Sequence, residues 1–458
     1  MATTYTRPSD WLTMPTVASS AQTFVGLFAV RNNDSNYVAL RATTSTGNYQ
    51  VNWGDGTVTT HASNTIAEYL YTYSAISEST LSSKGYKQTL IRVTPVTGNI
   101  LTFSTNVSHS ALGVAIAKKV TWLEYHINLP NLSNYGLAIS PSGVNARPNW
   151  LEKVTMSNIG GLTVFNSIFA NLVGLKQVNI TAPTTGITET NSMFTGCFSL
   201  ISVNLFNTSN VTTATQMFNS CNSLEEIPSF NFSKMTTAGA MFQNCGKLKT
   251  VPALDMRLCQ GFSYFLYQCY SLTEIGLIDT RSGTDFSNFA LQCNKLRTVA
   301  NLNMSAATNT ISAFGACTSL DSFPAITLGN TNCNLTGFFN NTNMMKNVGN
   351  MDVSKAINFT NFFNGNYSLR TLPALNLNAG TTLTGIVSPV MAKAPFTNVR
   401  ASLSLVNKNL GRLSIIEVFN GLASGVTSRT IAVSANPGFA ALTAADRLIA
   451  TAKGWTIA

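Results

Sequence analysis

Six cysteines in this 458-residue chain fall at a constant step of 24: Cys197, Cys221, Cys245, Cys269, Cys293 and Cys317. Thiols are metal ligands, nucleophiles and disulfide partners, so their spacing is the first place to look for chemistry. A zinc site needs ligands that converge. These cysteines come from successive repeats, and the three histidines, His61, His109 and His126, share no register with them. No metal set and no cofactor is therefore assigned. The spacing suits small, weakly polar residues pointing inward, reduced in a long chain that shows no Sec export signal. Neighbours stacked in this way can still approach disulfide distance on oxidation.

Carboxylates offer little more. Glu225 and Glu226 are adjacent, so on a strand they point to opposite faces, and Glu274 stands alone in its surroundings. A glycosidase needs two carboxylates across a groove. No GxSxG, HExxH, Walker-type or GxGxxG segment occurs, and no Ser/His/Asp set assembles without guessing. The expectation is that the chain is not an enzyme and has no catalytic residues. A glycan depolymerase using Glu226 or Glu274 is the least favoured alternative.

The element that must position these residues is a repeat. Three places after each cysteine comes a leucine: Leu200, Leu224, Leu248, Leu272, Leu296 and Leu320, continued by Met345 and Leu369 after a one-residue slip, with Leu175 and Leu151 before. A unit of about 24 residues cannot bury its apolar side alone, so such repeats stack into a solenoid. Within one copy, Val211, Ala214, Phe218 and Cys221 follow helical spacing, which predicts a short helix or turn. Leu224 and Ile227 then lie in a short strand that Pro228 ends, as Pro252, Pro324 and Pro373 do in later copies.

Stacked repeats also present columns of equivalent exposed positions. The column after the anchor leucine reads Lys176, Ile201, Glu225, Lys249, Thr273, Arg297, Asp321, Lys346 and Arg370. Its basic members, Lys176, Lys249, Arg297, Lys346 and Arg370, form a candidate stripe for an anionic glycan or acidic partner. A solvated stripe with no ligand is the competing reading.

Only 10% of residues are charged, and 28 basic against 18 acidic residues give a net charge of +10. The basic residues are scattered, with no Lys/Arg cluster, so nucleic acid is not expected as a partner. No apolar run is long enough for a membrane span, and no membrane insertion is expected. The absence of a heptad pattern excludes a coiled-coil fibre but leaves a homo-oligomer open.

The strings SMFTGCFSLISVNL, QMFNSCNSLEEIPSF and AMFQNCGKLKTVPAL resemble the bacterial-surface leucine-rich repeats of the BspA type, and TSNVTTATQMF resembles a related surface-protein repeat. The resemblance spans about residues 150–400 and implies an adhesin or interaction scaffold. Near the start, VNWGDGT, then YTY and GYKQTLIRVTP, resemble the PKD domain, an immunoglobulin-like sandwich. There Trp53 would be a core residue and Asp55-Gly56 would shape a turn, with Asp55 as a calcium ligand the alternative. The opening RPSDWLTMPTVASSAQTFVGLFAV resembles the start of certain tailed-phage virion proteins. At the other end, Leu442, Ala445, Leu448 and Ile449 have helical spacing, and Trp455 suits a terminal cap.

These readings give a mixed β-rich α/β fold: a docking segment over 1–36, a PKD-like β-sandwich over 37–110, a leucine-rich-repeat solenoid over 111–400 and a helical capping region over 401–458. Each coil should carry one short strand and one short helix or turn. The expected function is that of a bacteriophage virion structural protein, fibre-like or decorating the particle. It would be made in the host cytoplasm without a signal peptide and would contact other virion proteins, host cell-surface polysaccharide or host protein. A bacterial cell-surface adhesin is the alternative.

Overall fold

A computed structural model describes residues 4–32, 36–110, 121–139, 150–328 and 332–458. The chain divides into two compact units, Met1–Phe232 and Ser233–Ala458. Both carry stacked coils of a leucine-rich-repeat-like β-solenoid, about 13 turns in all, with few helices.

The first unit opens with a β-region whose strands are β1 (Thr23–Val30), β2 (Tyr37–Thr44), β3 (Tyr49–Asn52), β4 (Val58–His61), β5 (Ile66–Leu70), β6 (Lys87–Pro95) and β7 (Ile100–Ser104). There follow β8 (Trp122–Asn128), β9 (Leu137–Ala138), β10 (Lys153–Asn158), β11 (Gln177–Ile180) and β12 (Ser202–Val203). One sheet has the order β5-β2-β7-β9 and the other β12-β11-β10-β8-β1-β6-β3-β4. Phe24 of β1 meets Phe103 of β7 with ring centroids 4.4 Å apart, joining the two sheets.

The larger sheet changes character along its width. β1 pairs antiparallel with β6 and with β8, whereas β8, β10 and β11 pair parallel, with Lys153 opposite both Glu124 and Gln177. The first coils of the solenoid are thus built on the sheet of the β-region. This moves the boundary drawn at residue 36. The run TFVGLFAV is buried at every position, as a central strand must be, and lies inside the segment read as a docking piece. Residues ahead of it are also fastened down: Arg7 donates to Glu124 at 2.5 Å, and the buried Trp11 donates through Nε1 to the Tyr86 hydroxyl at 2.9 Å.

Trp53 is fully buried and stacks on Tyr69 at 4.8 Å. Asp55 shapes its turn, one oxygen accepting from the Thr57 amide at 2.9 Å and the other from the Tyr69 hydroxyl at 2.6 Å.

In the second unit, β13 (Thr250–Val251), β14 (Glu274–Ile275) and β15 (Thr298–Val299) pair in parallel register, one per coil. β13 stops where Pro252 removes a backbone donor. The anchors Cys245, Cys269, Cys293 and Cys317 and Leu248, Leu272, Leu296 and Leu320 are fully buried, as are Cys197, Cys221, Leu200 and Leu224 in the first unit. Phenylalanines stack between neighbouring coils, Phe262 on Phe286 at 5.1 Å and Phe265 on Phe289 at 5.5 Å.

The segment with helical spacing is not helical; it is a string of turns. Ala240 and Asn244 have φ of 54° and 61°, and Tyr264, Gln268, Asn288, Gln292, Ser312 and Ala316 repeat this left-handed pair in later coils. A left-handed residue at every fourth position breaks an α-helix. Its amides are satisfied in two directions instead. Ala238, Ala240, Phe242 and Asn244 donate to the carbonyls of Gly261, Ser263, Phe265 and Tyr267 in the next coil. The interleaved Met241, Gln243 and Cys245 donate three residues back, to Ala238, Ala240 and Phe242. Backbone pairing is nearly complete, and the strain of φ > 0 is offset by bonds to the neighbouring coil.

Past residue 400 the parallel pairing continues. Leu403–Ser404, Arg429–Ala432 and Trp455–Ile457 form a three-stranded parallel sheet beside α1 (Arg412–Asn420) and α2 (Ala444–Thr451). The apolar face expected on α2 is rotated. Ala445 and Leu448 are exposed, whereas Leu442, Asp446 and Ala450 are buried, because Asp446 accepts from Arg412 of α1 at 2.8 and 2.9 Å and closes a capping box with Thr443. Lys453 donates to the carbonyls of Phe419, Asn420 and Leu422 at the end of α1, complementing its negative pole. Gly454, at φ 88°, turns the chain so that Trp455 buries itself and donates to the Ala423 carbonyl at 2.9 Å.

Candidate functional site

The anchor leucines dictate what faces outward in each coil. In Lys247-Leu248-Lys249 and Lys295-Leu296-Arg297 the leucine is buried and both flanking cations are exposed. The hydrogen-bond ladder sets these side by side. The Thr273 amide donates to the Lys249 carbonyl at 2.9 Å, and the Arg297 amide to the Thr273 carbonyl at 3.0 Å, so Lys249, Thr273 and Arg297 occupy consecutive coils. Further along, the Lys346 amide donates to the Asp321 carbonyl and the Lys393 amide to the Arg370 carbonyl. Lys346 and Arg370 are exposed, while the Lys393 ammonium lies 3.4 Å from Glu417.

Of the five cations expected to form a stripe, the second unit holds Lys249, Arg297, Lys346 and Arg370. Lys176 belongs to the first unit, where it is half-buried and paired with Glu152 at 3.0 Å. The sequence reading missed Lys247 and Lys295, two positions before the stripe. It also missed exposed Tyr270, 45% accessible, and Tyr367, 63% accessible. The repeated pairs KLK and KLR were the available signal. Tyr270 leans over Gly246 of the coil before it, where an added Cβ would lie 3.9 Å from its ring. The acids on this face include Glu274, in register with Thr250 and Thr298, and Asp321.

The cysteine column has a structural chemistry. Cys197, Cys269, Cys293 and Cys317 each donate a thiol hydrogen to a main-chain carbonyl, those of Phe169, Phe242, Leu266 and Ala290, at 2.9 to 3.1 Å. The same place in later coils holds Thr342, donating to Phe339, and Asn366, donating to Thr342. Burial raises the thiols of Cys197, Cys269 and Cys317 far above their ordinary range, that of Cys259 to about 12 and that of Cys333 to about 11. Such thiols are poor nucleophiles.

The histidines do not converge. His61 bonds Thr59 and His126 bonds Ser157, and burial lowers both imidazoles. Among the described residues no group of three or more His, Cys, Asp or Glu could hold a metal ion. Among them too, no helix is long and apolar enough to cross a membrane. A surface cleft of about 590 Å³ beside Ile326 and Met351 includes Asp352, whose carboxylate accepts from the Ser354 amide.

The chain is therefore a leucine-rich-repeat-like β-solenoid carrying a basic exposed column. Residues 163–275 match a family described as Mycoplasma protein of unknown function, DUF285. Among solved structures, the chain is similar to the crystal structure of the T. pallidum leucine-rich-repeat protein TpLRR. The two share 18% identity, and the match covers 37% of this chain and 77% of that one with a TM-score of 0.29. No curated protein matches significantly.

Proposed function

We propose that the chain is a non-enzymatic structural and binding protein of a bacteriophage virion, fibre-like or decorating the particle. Its solenoid presents a face for protein packing or host-surface adhesion. The observation that carries the binding role is the repeated exposure of cations on a ladder held coil to coil by main-chain hydrogen bonds, Lys249, Thr273 and Arg297 being its clearest stretch. The main-chain ladder fixes the attachment points of these side chains at a repeating spacing, so a partner of matching repeat meets several cations without reordering of the backbone.

The virion assignment draws on the opening segment and on the β-region, which is read as a PKD-like, immunoglobulin-type module with Trp53 in its core. In this reading the β-region supplies the attachment to the particle, and α2 with Trp455 closes the last apolar layer as a cap. Mass spectrometry of purified virions tests it: the chain is expected among the particle proteins, and its absence would remove the assignment. The alternative, a bacterial cell-surface adhesin, uses the same cationic face and predicts the chain in the cell-envelope fraction of uninfected cells.

A further inference from the structure

We infer that the exposed face centred on Lys247, Lys249, Tyr270, Lys295 and Arg297 binds an acidic polysaccharide, a polymer with a carboxylate on every second sugar. The inference rests on the binding role proposed above and names its ligand class.

The spacing argues for such a polymer. Coils follow one another at roughly the 4.8 Å separation of paired strands, so the doubled cations of Lys247/Lys249 and Lys295/Arg297, two coils apart, recur about every 10 Å. That is the length of a disaccharide in an extended chain. Lys346, a single cation, lies two further coils along, and the alternation ends there, because Arg370 occupies the very next coil. On the coil between the doubled cations stands Tyr270, whose ring leans over Gly246 and offers an apolar surface to a sugar ring. Exposed Thr250, Thr273 and Thr298 supply hydroxyls for sugar oxygens on the same strip.

Glu274 and Asp321 on this face are spaced so that a uniformly charged polymer would meet repulsion on intervening coils. A chain whose charges skip alternate sugars avoids them. Nucleic acid, with a phosphate at every nucleotide, carries charge more densely than this step.

The test is equilibrium binding of the full chain to hyaluronate, a uronate polymer whose carboxylates fall on every second sugar, with dextran and single-stranded DNA as comparison polymers. The expected result is salt-sensitive binding to the uronate polymer and none to dextran. Replacing Lys295→Gln with Arg297→Gln should weaken binding about tenfold or more, the loss of two charge-assisted contacts. Tyr270→Ser should weaken it about threefold. The pair Lys84→Gln with Lys355→Gln removes equal charge elsewhere and should leave binding unchanged; thermal unfolding verifies that all variants fold. The inference is overturned if the two double variants bind alike, or if DNA binds as well as the uronate and loses affinity in parallel. Failure with all polymers while the chain still sediments with bacterial cells would sink the glycan and spare the adhesive role. Failure of both would remove the two together.

Discussion

The thiol of Cys293 donates to the main-chain carbonyl of Leu266, 27 residues earlier, at 3.1 Å. The bond crosses from one coil to its neighbour inside the core and gives the Leu266 carbonyl a second donor beside the Cys269 amide, which reaches it at 3.2 Å. Cys293→Ala should destabilise the chain by about 0.5–1.5 kcal/mol, the net range for one hydrogen bond, because the Leu266 carbonyl keeps its amide donor. Denaturant unfolding measures it, and an unchanged midpoint would contradict the role. All eight cysteines are buried thiols. In the native chain iodoacetamide should therefore label them slowly at neutral pH, and quickly once urea opens the coils.

A second prediction concerns the left-handed column. Ala316 has φ 54°, and Gly365, two coils later in the same column, has φ 69°. An alanine side chain is strained there, and a Cβ on Gly365 would lie 2.0 Å from the Asn341 carboxamide oxygen. Ala316→Gly should raise stability by up to about 1 kcal/mol and Gly365→Ala should lower it by more than that. Thermal unfolding of the two variants reads both signs; a loss in each would mean the column is helical after all.

The third is a pH dependence. The Arg412 guanidinium, with bonds from the Thr443 amide and the Asp446 capping geometry, holds the Asp446 carboxyl down at about 2. A carboxyl lowered on folding stabilises the folded chain above its unfolded value of about 4. That contribution fades as pH falls from about 4 through about 2. In Asp446→Asn the share of acid sensitivity arising in this window should vanish, read as the difference between the two unfolding midpoints against pH. Parallel profiles would show that the pair contributes nothing.

The period was legible because every coil fills the same inward slots, so Cys and Leu recur at fixed spacing. The turns were not. Inward positions three and four apart arise from a helix and equally from alternating left- and right-handed turns, and Val211, Ala214, Phe218 and Cys221 fit both. The polar residues at φ > 0, such as Asn244, Gln268 and Gln292, were the quiet sign, since short polar side chains and amides tolerate that region better than branched ones. The place of β1 was hidden for another reason: its partners lie some 60 to 100 residues away, and a uniformly apolar run says it is central without saying where. On α2, Asp446 turned the helix face against its apolar pattern because an ion pair with Arg412 outweighed the burial of Leu448. Half of the cationic face was read, because only the column after the anchor was followed and Lys247 and Lys295 stand before it.

The proposed binding role places the contact on the cationic face of the second unit. Co-sedimentation of the full chain with bacterial cells, compared with the Lys295→Gln, Arg297→Gln double variant across a salt series, tests it most directly. The chain is expected to sediment with cells at low salt and to be released by salt, and the variant to be retained about tenfold less. Equal retention of both proteins at every salt concentration would contradict it.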